Sequence, residues 1–171
     1  MAGFQMQVKI DDLAVREFLK KAAAASQDLS PAMKNIGDYM LLRTAERFAG
    51  QHDPDGKSWK QLAYHTLMGG YKKTKFKQKG GLTKGFSGYL AARQILMKSG
   101  HLSQVAYKEA ADSVKIGTTP PSKFYAAIQQ FGGKAGRGHK VTIPARPYLG
   151  INADDAQEAS RIVTEFIGLT K

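Results

Sequence analysis

The stretch Val105–Thr118, VAYKEAADSVKIGT, decides the fold class. Two short strand-like runs, Val105–Ala110 and Ser113–Thr118, meet around Asp112 and predict an antiparallel hairpin. Towards the C-terminus, Ser122–Phe131 reads as a short helix closed by Gly132-Gly133, and Lys140–Ile143 as a strand stopped by Pro144. Beyond it, Ala153–Ile167 sets Ala156, Ala159, Ile162, Val163 and Phe166 on one side of an amphipathic helix. Towards the N-terminus, Ser30 reads as an N-cap with Pro31 in the first turn. Ile36, Met40, Arg43, Ala45 and Phe48 then run to a terminating Gly50. Further upstream, Phe4–Ile10 alternates as a strand, and Asp11-Asp12 caps a helix through Ala25 with Leu13, Phe18 and Leu19 on one face.

Between these elements, Pro54-Asp55-Gly56 is a turn, because proline presets its own φ and glycine accepts positive φ. Ser58 is read as the cap of a short helix through His65. Tyr89–Met97 is apolar enough for either a helix or a strand, and Ser99-Gly100-x-Leu102 begins another short element. Helices and antiparallel strands are segregated and do not alternate as β-α-β. The class is therefore α+β: a single small domain over residues 1–171, with a small antiparallel sheet packed by helices and a C-terminal amphipathic helix.

The 171 residues include no cysteine and are 42% hydrophobic, so a chain of this size builds a core without staples. Disulfide frameworks, thiolate metal sites, iron–sulfur clusters and cysteine nucleophiles are excluded together. Met1–Ile10 lacks the charged-then-apolar order of a secretory signal, and no apolar run approaches the ~20 residues of a membrane span. The expectation is a soluble, cytoplasmic chain with no membrane partner.

The net charge of +12 is concentrated in one segment. Residues 1–55 carry seven basic and eight acidic side chains, and residues 109–171 eight and six. Between Gly56 and Lys108 there are eleven basic residues and no acid, including Lys72, Lys73, Lys75, Lys77, Lys79 and Lys84. Glycine pairs flank the densest run, and Tyr71, Phe76 and Phe86 are interleaved with it. With neither helical nor strand period, residues 69–88 are expected to form a long, flexible basic loop. These six lysines are the candidate contacts to DNA or to an acidic protein partner, since lysines meet phosphates without sequence choice.

No catalytic constellation emerges. His52, His65, His101 and His139 lack the i, i+4 spacing of a helical metal pair, and His52 beside Asp53 and Asp55 is explained by a surface turn. There is no G-x-S-x-G, and Ser87 sits between glycines in the basic loop. Gly132-Gly133-x-x-Gly136-x-Gly138 lacks the ending of a phosphate loop and reads as a flexible connection. Asp11-Asp12 and Asp154-Asp155 fall at helix starts, where capping and the helix dipole account for them. We expect no enzyme activity, no metal, no cofactor and no small-molecule substrate.

Three strings are not required by folding in this order: Pro54-Asp55-Gly56-x-x-Trp59, Tyr125-Ala126-x-x-Gln129-x-Phe131-Gly132, and Ile143-Pro144-Ala145-Arg146-Pro147-Tyr148-Leu149-Gly150. Together with Ile95-Leu96 and Ser99-Gly100-x-Leu102, they resemble the phage virion morphogenesis, or tail completion, family of tailed bacteriophages. The likeness runs from about Ile36, through Arg43 and Phe48, to the terminal helix. Gln129 departs from the histidine frequent in the family's string, and Tyr148 stands where phenylalanine is usual. The resemblance implies a non-enzymatic virion protein at the head–tail junction, assembled in the host cytoplasm. It would form a homo-oligomeric, plausibly hexameric, ring around the DNA channel and contact neighbouring neck and tail proteins. The basic loop looks longer than a minimal member of this family needs, so the resemblance implies no role for it. Sequence-independent nucleic-acid binding through that loop is the competing function.

Pro144 and Pro147 fix φ and withhold amide donors, so Ile143–Leu149 should be stiff and extended. Arg146 and Tyr148 on it, with Trp59, Tyr125, Gln129 and Phe131, are the candidate protein-interface residues. For Arg146 the alternative is an internal ion pair, and for Tyr148 and Trp59 it is the core.

Overall fold

The computed structural model describes Glu17, Leu19, Lys20 and residues 28–169 apart from 70 and 72. The strand expected at Phe4–Ile10, most of the helix expected through Ala25, and Lys72 lie outside the described residues.

The organising element is helix α1, Ser30–Gly50. Leu29, Ala32, Met33, Ile36, Met40 and Phe48 are buried along it, the spacing of a helix with one apolar stripe. Leu29, one residue before Ser30, holds the N-cap position, and the Ser30 amide donates to Asp28 Oδ1 at 2.8 Å. At the other end Gly50 stays helical, and Gln51 takes the left-handed conformation at φ 57. Its side chain accounts for the shift. Gln51 Nε2 donates to Phe48 O at 2.6 Å, and its Oε1 accepts the Ile95 amide.

The predicted hairpin is present: β1, Val105–Ala110, pairs antiparallel with β2, Ser113–Thr118, in the register Val105↔Thr118 to Ala110↔Ser113. It lies across α1, with Ile116 in the core. The Tyr107 ring covers Gly37, where an added Cβ would fall 2.5 Å from the ring.

The next elements are the helices α2, Tyr64–Gly69, and α3, Lys84–Ala91, both N-terminal to this hairpin. α4, Lys123–Phe131, follows it, then β3, Gly133–Ala135, and β4, Val141–Ile143. β3 and β4 form a second hairpin not joined to the first, so the expected single small sheet is two two-stranded sheets. The glycine string read as a flexible connection builds this second hairpin. Gly132, at φ 73, brings the end of α4 so near the next segment that a Cβ would meet Ala145 N at 2.7 Å. Helix α5, Ala153–Leu169, closes the chain and packs on α1. Asn152 and Asp155 form its capping box: each side chain accepts the other's amide, at 2.8 and 3.1 Å.

Two expectations shift. No helix starts at Ser58, which instead forms an isolated bridge with His52 across the Pro54-Asp55-Gly56 turn, and helix begins only at Tyr64. Asp53 Oδ1 accepts the Asp55 and Lys57 amides, so local side-chain bonding holds this stretch out of helix. Nor is Gly69–Gly88 a featureless loop. Phe76 and Leu82 form a bridge, Gly80 and Gly81 make the turn with positive φ, and Thr83 caps α3 by accepting the Phe86 amide. No helix among the described residues is long and apolar enough to cross a membrane.

Candidate functional site

Three of the six interface candidates point inward. Trp59 is 4%, Arg146 5% and Tyr148 1% exposed. The stiff segment after β4 is extended as expected, yet it is a clasp gripped from several sides. Trp59 Nε1 donates to Pro147 O at 2.7 Å, and the Trp59 and Tyr148 rings both lie against Phe48, at 5.4 and 5.3 Å. Arg146 makes no ion pair with a described acid. Its Nε and Nη2 donate to the carbonyls of Lys60 and Gln61, at 2.8 and 3.1 Å, fixing the chain before α2. Burial pushes the Arg146 pKa down and the Tyr148 phenol up.

The residue of α4 that completes the clasp is Gln130, next to Gln129. Gln130 Oε1 accepts the Tyr148 and Leu149 amides, both at 3.1 Å, and Nε2 donates to Leu149 O at 2.6 Å. Gln129 contributes only its carbonyl, which accepts the Arg146 amide at 2.8 Å. Ser122, the N-cap of α4, lines up with Ala126 and Gln130 in one buried stripe, and this i, i+4, i+8 spacing was the available signal for Gln130.

Behind the clasp sits a buried charge cluster that no local string announces. Arg47 and Asp155, 1% and 0% exposed, pair at 2.5 Å. Arg47 Nη1 also donates to Gly150 O at 2.9 Å, and Asp155 Oδ1 accepts from Arg43 Nε at 2.9 Å and from the Tyr39 hydroxyl at 3.1 Å. Burial drives the Arg47 pKa down against the pull of Asp155. For Asp155 burial pushes upward, but the Asn152 amide, Arg43, Arg47 and Tyr39 outweigh it and hold the carboxyl below its ordinary value. Tyr39, Arg43 and Arg47 recur every four residues of α1, so one stripe of the helix supplies three of the four partners.

The outward-facing candidates lie on the other side of α4. Phe131 is 61% exposed and Tyr125 37%, with Phe124 at 77% and Val141 of β4 at 49%. Phe124 and Phe131 are seven residues apart, two turns along one helix face. Phe124 and Phe131 thus share one exposed face of α4, turned away from the buried Ala126 and Gln130.

A second surface is the basic arm, residues 69–91. Its Phe86 is 1% exposed but packs outside the main core, ringed by Tyr71, Phe76 and Tyr89 at 5.2, 6.3 and 6.1 Å. Arg93 lies over the Tyr89 ring at 5.3 Å. Lys73, Lys77, Lys79 and Lys84 are exposed and Lys75 half-buried. Among the described residues no group of three or more His, Cys, Asp or Glu is arranged to hold a metal ion.

The G protein 2 of the Mu-like prophage FluMu of Haemophilus influenzae is 48% identical to this chain over 54 residues, 32% of this chain and 37% of that protein. The match thus spans little more than a third of that relative's length. No solved structure matches the chain. The profile of the phage virion morphogenesis family matches residues 10–167, taking in α1, the clasp, the basic arm and nearly all of α5. The chain belongs to the phage virion morphogenesis family.

Proposed function

We propose that the protein is a non-enzymatic structural subunit that self-associates into a ring, with six copies the leading stoichiometry, at the junction of phage head and tail. There it completes the neck or terminates the tail, joining tail to head around the DNA channel. Family membership supports the assembly role, and the observation that carries self-association is the aromatic face of α4. Aromatic residues are enriched in interface cores and supply large contact area at low entropic cost. The clasp serves this role indirectly: with Trp59, Gln130, Arg146 and Tyr148 spent inside the subunit, α4 is held rigidly and its outer face is presented at low ordering cost.

The test is the native mass of the purified subunit, wild type against the double variant Phe124→Ser, Phe131→Ser. Wild type should be oligomeric. If these aromatics are hot spots worth about 2 kcal/mol each, the variant's dissociation midpoint should rise by roughly a thousandfold, with unchanged thermal stability of the fold. A wild type that stays monomeric at high concentration, or a variant that keeps its oligomer, would contradict the proposal.

A further inference from the structure

We infer that the basic arm is a contact for the phosphate backbone of double-stranded DNA, made without reading sequence. This goes beyond the ring proposal, which requires no DNA contact from the subunit itself.

The argument begins with how the arm displays its charge. Phe76 turns toward Phe86, and because side chains alternate along extended chain, its neighbours Lys75 and Lys77 are directed away from the aromatic cluster. Lys79 is in the turn before Gly80-Gly81 and Lys84 opens α3, so the hairpin bridge and the capped helix gather Lys73, Lys75, Lys77, Lys79 and Lys84 on one small unit. None of these five is paired with a carboxylate among the described residues. Mutual repulsion of this kind is relieved by an external polyanion.

A second copy of the chain does not offer that polyanion. Glu46 and Asp155 are held by Arg43 and Arg47, and Glu158 and Glu165 by Arg161. Asp38 accepts the Tyr107 hydroxyl at 2.7 Å, and Asp53 is occupied by backbone amides. At least four of the twelve described carboxylates are thus ion-paired within the subunit, and a second copy carries a net charge of +12, whereas DNA presents a negative charge for every ~1.7 Å of its axis. Lysines are point charges that need no fixed bidentate geometry, so they suit phosphates met at any sequence.

The experiment is fluorescence anisotropy of the full chain with a labelled 30-base-pair duplex, between 50 and 200 mM salt. Five phosphate contacts predict a slope of log K against log salt of about −4 to −5, a loss of roughly 500-fold across that range. The quadruple variant Lys75→Gln, Lys77→Gln, Lys79→Gln, Lys84→Gln should fall to a slope of about −1. The single variant Lys77→Gln, which removes one exposed charge, should lose about one unit and guards against misfolding of the quadruple variant. No binding at 50 mM salt, or a quadruple variant with the wild-type slope, would overturn the inference. So would tighter binding of polyglutamate than of the duplex, which would assign the arm to an acidic protein surface. A monomer that binds with the expected slope removes the ring and keeps the arm; an oligomer that ignores DNA does the reverse.

Discussion

The clasp and the basic arm are built from similar materials, aromatics and cations, and use them in opposite ways. In the clasp and the charge cluster behind it, Arg146 and Arg47 are buried and held by long-range contacts: Arg47 to Asp155, Trp59 to Pro147, Arg146 to Lys60. In the arm the aromatics Tyr71, Phe76, Phe86 and Tyr89 make a small cluster of their own, while Lys73, Lys77, Lys79 and Lys84 face solvent. A cation buried in the fold must be satisfied by the fold, and one left outside is available to something else. The same subunit thus contains a rigid frame and a loosely coupled charged appendage.

The contrast breaks most visibly at Asp155. Replacing it with alanine strands two arginines, and truncating one member of a buried pair costs roughly 3–5 kcal/mol, so urea unfolding followed by Trp59 fluorescence should shift strongly to lower denaturant. Arg146→Ala comes next. It leaves the Lys60 and Gln61 carbonyls without their donor and should cost about 2 kcal/mol by the same assay, while Arg146→Lys recovers only part because it lacks the planar fork.

Acid should sharpen the comparison. The Asp155 pKa lies below its ordinary value of 3.8, so its contribution is fully present above that value and is lost as pH falls beneath it toward the folded-state pKa. Wild type should lose stability in that window more steeply than Asp155→Asn, measured by thermal melts from pH 5 to pH 2. Arm variants should keep the wild-type acid response.

In the arm itself, Phe86→Ala should release hydrogen-exchange protection through Lys84–Ala91 while shifting the global transition by less than about 1 kcal/mol, because local units open separately from the core. The smallest effect belongs to Lys77→Gln, within about 0.5 kcal/mol of wild type in stability. A large global loss from either arm variant would show that frame and appendage are one cooperative unit.

Local chemistry explains which elements were legible in sequence. Pro31 and the apolar spacing to Phe48 mark α1, the paired runs around Asp112 mark the first hairpin, and Pro144 ends β4. Each signal lies within a few residues of the element it specifies. The clasp was half legible: its prolines announced stiffness, but the direction of Arg146 depends on Lys60 and Gln61, 85 and more residues away, and that of Tyr148 on Gln130 and Phe48. The Arg47–Asp155 pair spans 108 positions, and Asp155 by itself looks like any acid at a helix start. The arm was misread for a different reason. Lysine and glycine density hides a bridge and a capped helix that depend on aromatics scattered from Tyr71 to Tyr89. Tyr125 and Phe131, singled out by their string, are exposed, and Phe124 beside them had no such string to mark it.

The most direct test of the assembly role is electron microscopy of phage particles produced with and without this protein. The account predicts that, in its absence, heads and tails accumulate unjoined or tails lack a terminal ring; complete, joined particles made without it would contradict the account.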